Sequence, residues 1–165
     1  MIHAFTYIFF ILPFTAWLGF ELKRECSLRT HWMYLLGAFL LGIIGSIVSQ
    51  IYPSNAGNFF LHASGGASAT LLYIYFLKTL KLEFNWRLNL VILFAFVCML
   101  GVLNELAEYL FELLGMGIFS LDTHDTWRDF VANTTGALLT WAICLPVLFK
   151  KQINANYYAP KYYLE

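Results

Sequence analysis

Long apolar runs separated by short polar connections dominate the hydrophobic pattern of this chain. A helix that crosses a membrane needs roughly 20 mostly apolar residues, and five segments meet that requirement. They cover about residues 2–20, 32–52, 58–78, 89–113 and 129–149. The pattern therefore predicts an all-α integral membrane protein, in which a bundle of five transmembrane helices forms a single membrane domain over residues 1–165.

The composition supports the same class of protein. Hydrophobic residues make up 60% of the chain and charged residues only 12%, whereas soluble domains have about 25% charged residues. This composition excludes an ordinary soluble domain and a basic nucleic-acid-binding surface. The first apolar run has no lysine or arginine before it and is long enough to span, so we expect no cleavable signal. The three cysteines have no metal-binding spacing, and Cys98 and Cys144 lie inside apolar runs.

Lysine and arginine are distributed unevenly between the connections. Nine of the ten follow the first, third or fifth run, and only Arg128 lies in the fourth connection. Because basic residues mark the cytoplasmic side of a membrane protein, we expect the N-terminus outside and the C-terminus in the cytoplasm. Six acidic residues and one arginine then give the outer side a net charge of −5, with histidine neutral.

An acidic helix face is predicted at the outer ends of the fourth and fifth spans. Glu105, Glu108 and Glu112 are spaced i, i+3 and i+7, so they share one side of a helix. Four residues at the start of the fifth span have similar spacing: Asp125, Asp129, Asn133 and Gly136. Asp122 joins them only if that helix begins early, and His124 then points elsewhere. A carboxylate inside a spanning helix costs roughly 2.5–3.5 kcal/mol on insertion scales, so Glu105 and Glu108 indicate a function or tight pairing.

Small residues lie on the same helix faces as these polar residues, closer to the middle of the membrane. His62 opens the third span above Gly65, Gly66 and Ala69, Gly101 lies below Glu105, and Gly136 lies below Asn133. Small residues let membrane helices approach closely, so we expect spans three, four and five to pack together. The polar residues that would then meet near the outer boundary are His62, Glu105, Glu108, Asp129 and Asn133.

Carboxylates gathered in a low-dielectric site need shared protons, a metal ion or a cationic group of a ligand. The candidate catalytic residues are Glu105 and Glu108, either of which could act as a general base. The candidate ligand-binding residues are His62, Asn104, Arg128 and Asn133. The candidate metal ligands are His62, Glu105, Glu108, Asp125 and Asp129, a donor set that suits Mg, Mn, Ca or Zn. Arg128 could bind a phosphate beside a metal ion or pair with a neighbouring aspartate.

Purely structural explanations exist for several of these residues. Asp122 or Asp125 could cap the fifth helix, because acidic side chains are favoured at helix N-termini. Glu112 could be solvated at the water boundary, and His62 could be a packed interfacial histidine. The glycine stripes could serve helix packing alone.

The order of these motifs resembles the VanZ-like group of small bacterial membrane proteins and the related YjdF-like proteins. A histidine opens one span, "ELAE" lies late in another, and "DTHDTWRDFVANTTGALL" leads into the last. Three residues of the last span match the VanZ-like pattern: Asp129, Asn133 and Gly136. His62 and Glu105 also match, whereas Glu108 stands where the VanZ-like proteins have glutamine. The resemblance covers about residues 58–140 and implies a multi-pass protein of the bacterial plasma membrane.

Three functions fit this pattern. The favoured one is an envelope-associated binding or resistance-type factor with an acidic, metal-binding pocket at the outer face. The alternatives are a metal-dependent enzyme acting on a lipid or envelope precursor, and a small proton-coupled transporter in which Glu105 and Glu108 titrate. The expected partners are membrane lipids, an envelope ligand or membrane protein, and further copies of the chain, but no nucleic acid. A divalent metal ion is the cofactor that the donor set suggests.

Overall fold

The computed structural model describes residues 31–116 and 123–148, and the regular elements in these two ranges are all helical. Four long helices follow one another: α1 (Trp32–Ile51), α2 (Asn55–Thr79), α3 (Trp86–Leu113) and α4 (Thr123–Leu148). Of these, α1, α2 and α3 are long and apolar enough to cross a membrane. The four helices correspond to the second to fifth predicted spans, whereas the predicted span 2–20 lies outside the described residues.

Three of the helices begin earlier than the apolar runs predict, because polar residues start them. Ser54 precedes α2, and its hydroxyl accepts a hydrogen bond from the backbone N–H of Gly57 at 3.4 Å. Asn85 precedes α3, and its side chain accepts from the backbone N–H of Leu88 at 2.9 Å. Both residue types are favoured at this position. α4 begins at Thr123, so the acidic stretch of residues 123–129 forms its first turns.

Helices α2 and α3 end in the same kind of hydrogen-bonded turn. At the end of α3, Gly115 adopts a φ of +70°, and the N–H of Met116 donates to the carbonyl of Phe111 at 3.0 Å. At the end of α2, Lys81 takes the equivalent position with a φ of +53°, and the next residue donates to the carbonyl of Leu77. These turns satisfy carbonyl groups that the last helical turn would otherwise leave without donors.

The centre of the described bundle is α2. Fifteen of its 25 residues are buried, compared with three of 20 in α1 and six of 28 in α3. Helix α1 packs antiparallel on one side of α2, where Gly45 contacts the side chain of Ser64. The hydroxyl of Ser68 also donates to the carbonyl of Ala38 at 2.8 Å. Helices α3 and α4 pack against each other and against α2.

Helices α2 and α4 run parallel and in close contact. Gly66 packs against the backbone of Asn133, and Gly136 packs against the backbone of Ala63. A Cβ atom at either glycine would collide with the opposing backbone. The predicted packing of the third and fifth spans on small residues is therefore confirmed. Between α3 and α4 the contact is looser, because Gly101 faces the ring of Phe130 rather than a backbone.

A buried polar network joins the bundle near the connection from α2 to α3. Tyr73 donates its hydroxyl hydrogen to the side-chain oxygen of Asn89 at 2.8 Å. The amide nitrogen of Asn89 donates to the carbonyl of Phe84 at 2.9 Å. The ring of Trp141 from α4 lies 6.2 Å from that of Tyr73. Because the amide of Asn89 has partners for both its oxygen and its nitrogen, its burial at 1% exposure does not leave it unsatisfied.

Helices α1 and α3 present large apolar side chains away from the bundle. Met33 and Ile47 of α1 and Val91 and Leu113 of α3 are each more than half exposed. Soluble proteins rarely expose continuous apolar faces of this kind, whereas lipid chains cover them in a membrane. The exposed apolar faces of α1 and α3 therefore lead to the same conclusion as their length and hydropathy, namely that these helices are suited to a membrane.

Candidate functional site

Three helix segments converge at the end of the bundle opposite the α2–α3 connection. They are the start of α2, the end of α3 and the start of α4. Five carboxylates lie on the α3 and α4 segments, and we call them the acidic cluster: Glu105, Glu108, Glu112, Asp125 and Asp129. The parallel arrangement of α2 and α4 brings both of their N-terminal segments to this end, because α3 runs in the opposite direction between them.

His62 of α2 contacts Asp129 of α4, with Nε2 and Oδ2 separated by 3.3 Å. The other carboxylate oxygen of Asp129 accepts a hydrogen bond from the side-chain amide of Asn58 at 3.0 Å. Both His62 and Asp129 are buried. Two side chains from α2 therefore contact one carboxylate of α4, so this part of the site depends on the α2–α4 contact.

Glu108 is the most deeply buried glutamate of the acidic cluster, at 5% exposure. The side-chain amide of Asn104, one turn earlier on α3, donates to its Oε1 atom at 2.9 Å. Glu108 also interacts electrostatically with Glu105, Asp125 and Glu112. One hydrogen bond therefore supports a carboxylate that lies close to three others of the same charge.

Glu105 links α3 to the start of α4. Its carboxylate hydrogen-bonds with the side chain of Thr126 and interacts electrostatically with Asp125. Glu105 is only partly buried, in contrast to Glu108 one turn later. The two glutamates thus share a helix face, as their spacing predicts, but Glu108 lies inside the bundle and Glu105 at its edge.

Within residues 31–116 and 123–148, Arg128 is the only lysine or arginine at this end of the bundle. Its Nη2 atom lies 2.8 Å from Oδ1 of Asp125 in an i, i+3 ion pair. The Asp125 side chain is buried, whereas the Arg128 side chain is 43% exposed. Asp129 interacts with Arg128 and also with Asp125, Glu105 and Glu108. When all five carboxylates are ionised, one arginine leaves an excess of negative charge.

An open groove between α3 and α4 borders the acidic cluster. Its volume is about 360 Å³. On α3 it is lined by Val102, Glu105, Leu106, Tyr109 and Glu112, and on α4 by Thr126 and Phe130. It therefore combines two carboxylates with apolar and aromatic side chains. The buried pair of His62 and Asp129 does not line it.

The predicted metal set does not form a recognisable metal centre. Within residues 31–116 and 123–148, no three His, Cys, Asp or Glu side chains come together in an arrangement that could hold a metal ion. The five candidate ligands His62, Glu105, Glu108, Asp125 and Asp129 are all described, but they are divided between pairwise contacts. A divalent cofactor at this site has no support from the donor geometry.

The other predicted site residues lie in or next to the same region. Asn104 contacts Glu108 and Arg128 contacts Asp125. Asn133 lies one turn below Asp129, with its backbone against Gly66 and its side-chain amide near Gly101. His124 is exposed, as expected for an early start of α4, and Asp122 lies outside the described residues.

Four residues of this region were missed by reasoning from sequence: Asn58, Tyr109, Thr126 and Phe130. Asn58 is the first residue of the predicted third span and precedes His62 by four residues, so helical periodicity places both on one face and could have identified it. Tyr109 lies four residues after Glu105 and could have been found in the same way. The sequence does not identify Thr126 and Phe130 as site residues, because threonine and phenylalanine are also common in ordinary helix packing.

No protein family, characterised protein or solved structure matches this chain.

Proposed function

We propose that the chain is a multi-pass protein of the bacterial plasma membrane with five spanning helices, its N-terminus outside and its C-terminus in the cytoplasm. The length and apolar character of α1, α2 and α3 support this proposal. The charge distribution supports the orientation, since Lys78, Lys81 and Arg87 lie around the α2–α3 connection and the acidic cluster lies at the other end. Basic residues favour the cytoplasmic side, so the acidic cluster faces outward.

The proposed activity is the binding of a positively charged group of an envelope ligand, in a non-enzymatic envelope factor of the VanZ-like kind. The observation that carries it is the excess of carboxylates over arginine at the edge of an open groove, within the part of the chain that the structure describes. Removing charges from water is costly unless opposite charges compensate them. A cationic ligand group in the groove would lie beside Glu105 and Glu112, the two carboxylates among its described lining residues.

A cationic group fits this site better than a metal ion does. A metal ion needs several donors converging on one point, and the described carboxylates are divided between separate partners. The enzymatic alternative needs a metal to activate water beside a glutamate base, so the same donor geometry favours the binding function. An organic cation can instead contact carboxylates spread along a groove, through separate N–H groups.

The test measures thermal unfolding of the purified full chain in detergent micelles with increasing ethylammonium chloride. We expect ethylammonium to stabilise the protein by about 1.4 kcal/mol at ten times its Kd, relative to the same concentration of sodium chloride. The Glu105→Gln variant should lose this stabilisation, because the groove then retains one carboxylate fewer.

Glu83→Gln is the matched control, since Glu83 is exposed and lies in the α2–α3 connection at the other end of the bundle. It should respond to ethylammonium as the wild type does. Equal stabilisation by sodium and ethylammonium would contradict the proposed function. So would an ethylammonium response that persists fully in Glu105→Gln.

A further inference from the structure

The groove between α3 and α4 changes from apolar to polar along its length. Val102 and Phe130 form the end nearer the middle of the bundle, and Glu105 and Glu112 contribute carboxylates towards the end of α3. From Val102 to Glu112 the helix axis rises about 15 Å, at about 1.5 Å per residue. A membrane lipid shows the same order of polarity, with its chains towards the bilayer interior and its headgroup at the surface.

The polar half of the groove favours a cationic headgroup that donates hydrogen bonds. Its lining carries the carboxylates of Glu105 and Glu112, and the described lining residues include no lysine or arginine. A primary ammonium has three N–H donors and no acceptor, so it can serve two carboxylates at once. Tyr109 adds an aromatic ring, and such rings attract cations within about 6 Å.

The groove is open to a molecule approaching from the bilayer. Leu106 and Tyr109, which line it on α3, are 57% and 60% exposed. Trp127 on α4 is exposed beside it, with its ring 6.1 Å from that of Phe130. Because tryptophan is enriched at the membrane–water interface, Trp127 indicates that the polar half of the groove lies at the depth of lipid headgroups.

We propose that this groove binds a phospholipid with a primary ammonium headgroup. The ammonium group lies between Glu105 and Glu112, and one acyl chain follows Leu106 and Val102 towards Phe130. The inference rests on the proposed cation-binding function and specifies the class of its ligand. A lipid with an uncharged headgroup on the same phosphate lacks the ammonium charge and is disfavoured beside the carboxylates.

The test reconstitutes the full chain in nanodiscs of phosphatidylglycerol. Phosphatidylethanolamine or phosphatidylglycerol with identical spin-labelled acyl chains is added in trace amounts, and electron paramagnetic resonance measures the immobilised fraction of each. We expect the wild type to prefer the phosphatidylethanolamine label by about fivefold, the effect of one partly exposed ion pair. Glu105→Gln should bring the preference close to one, and Glu83→Gln should leave it unchanged.

A second pair of variants tests whether the lipid preference comes from the groove or from the net charge at this end of the bundle. Leu106→Trp fills the groove without removing a carboxylate, and it should reduce the preference. Leu103→Trp introduces the same side chain at an exposed α3 position that does not line the groove, and it should not. A preference that survives Leu106→Trp would overturn the inference, because it would then come from surface charge alone.

The ethylammonium measurement distinguishes failure of this inference from failure of the proposed function. If ethylammonium stabilises the wild type but the two lipid labels associate equally, the lipid inference is wrong and cation binding stands. If neither measurement shows a preference for the ammonium compound, both are wrong.

Discussion

His62 of α2 and Asp129 of α4 face each other across the contact of two parallel helices, with 3.3 Å between Nε2 and Oδ2. One turn further along both helices, Gly66 packs against the backbone of Asn133. The polar contact and the glycine contact therefore share one register between the two helices. A change that separates the helices at Gly66 also separates His62 from Asp129, which couples the packing of the bundle to the geometry of its acidic end.

We expect His62→Ala to lower the free energy of unfolding by about 1–3 kcal/mol, because Asp129 then keeps a buried carboxylate with one partner fewer. Reversible unfolding in micelles with increasing denaturant measures this loss. The double variant His62→Ala/Asp129→Ala should lose less than the sum of the two single variants, by about 0.5–3 kcal/mol. Simple additivity would contradict an energetic interaction between the two side chains.

Glu108→Gln should leave the free energy of unfolding unchanged or raise it by up to about 1 kcal/mol, since like-charged pairs one turn apart on a helix each cost about 0.2–0.5 kcal/mol. The glutamine oxygen can still accept the hydrogen bond from Asn104, while the repulsion from Glu105, Asp125 and Glu112 disappears. Binding of ethylammonium should weaken, because the negative charge near the groove falls. Glu83→Gln is the control for removing a carboxylate that lies outside the cluster. A loss of about 3–5 kcal/mol would instead identify Glu108 as one partner of a buried ion pair.

Gly66→Ala should destabilise the protein by about 1–3 kcal/mol, as other overpacked contacts do, because its new Cβ collides with the backbone of Asn133. Gly37→Ala is the matched control on α1, where the added Cβ approaches only the flexible end of Leu71 at 3.0 Å. Its stability should change little or increase, since alanine is the better helix former by up to about 1 kcal/mol. Thermal unfolding of both variants in micelles decides this, and equal losses would rule out close backbone contact at Gly66.

Gly115→Ala should cost about 1–2 kcal/mol, although the added methyl group would meet nothing within 4 Å. The cost arises from the φ of +70°, which an L-residue with a Cβ adopts unfavourably. Gly115→Asn should lose less, because asparagine tolerates this conformation better. The same unfolding experiment tests the order of the three proteins, and identical stability of all three would contradict the left-handed turn at the end of α3.

The proposed topology predicts opposite labelling of two exposed positions. In a variant without native cysteines, Asn55→Cys should react with an impermeant thiol reagent in intact cells, whereas Glu83→Cys should react only after the cells are opened. Asn55 lies at the start of α2 and Glu83 in the α2–α3 connection. The reverse result would place the acidic cluster in the cytoplasm and remove the envelope ligand from the proposal.

The sequence pattern predicts the four helices of the described ranges, but not the starts of all of them. Apolar runs identify segments suited to lipid, and small residues such as Gly66 and Gly136 identify where two helices can approach. The apolar run predicts a start near residue 129, whereas α4 begins at Thr123. Hydropathy does not show helical turns made of polar residues that precede an apolar run. The packing of Gly45 against Ser64 is not predictable from the hydrophobic pattern, because a serine inside an apolar run does not reveal which neighbouring helix it contacts.

The contacts inside the site were harder to predict than its location. Periodicity shows that Glu105 and Glu108 share a face, but it does not determine that one is buried and the other lines a groove. That difference depends on how far α4 is rotated and shifted against α3. The pairing of His62 with Asp129 depends in the same way on axial register, which sliding by one turn would change without altering any helix face.

The parallel contact of α2 and α4 also has a consequence for the synthesis of the protein. Two neighbouring spans in the sequence can associate as a hairpin as soon as both have left the ribosome, whereas parallel partners must wait for the helix between them. Until α4 has been translated, Gly66 lacks the backbone of Asn133 that it packs against. Glu105 likewise lacks its hydrogen bond with the side chain of Thr126. The acidic end is therefore assembled last, and a nascent chain halted after α3 carries its glutamates on a helix whose polar face has not yet been covered.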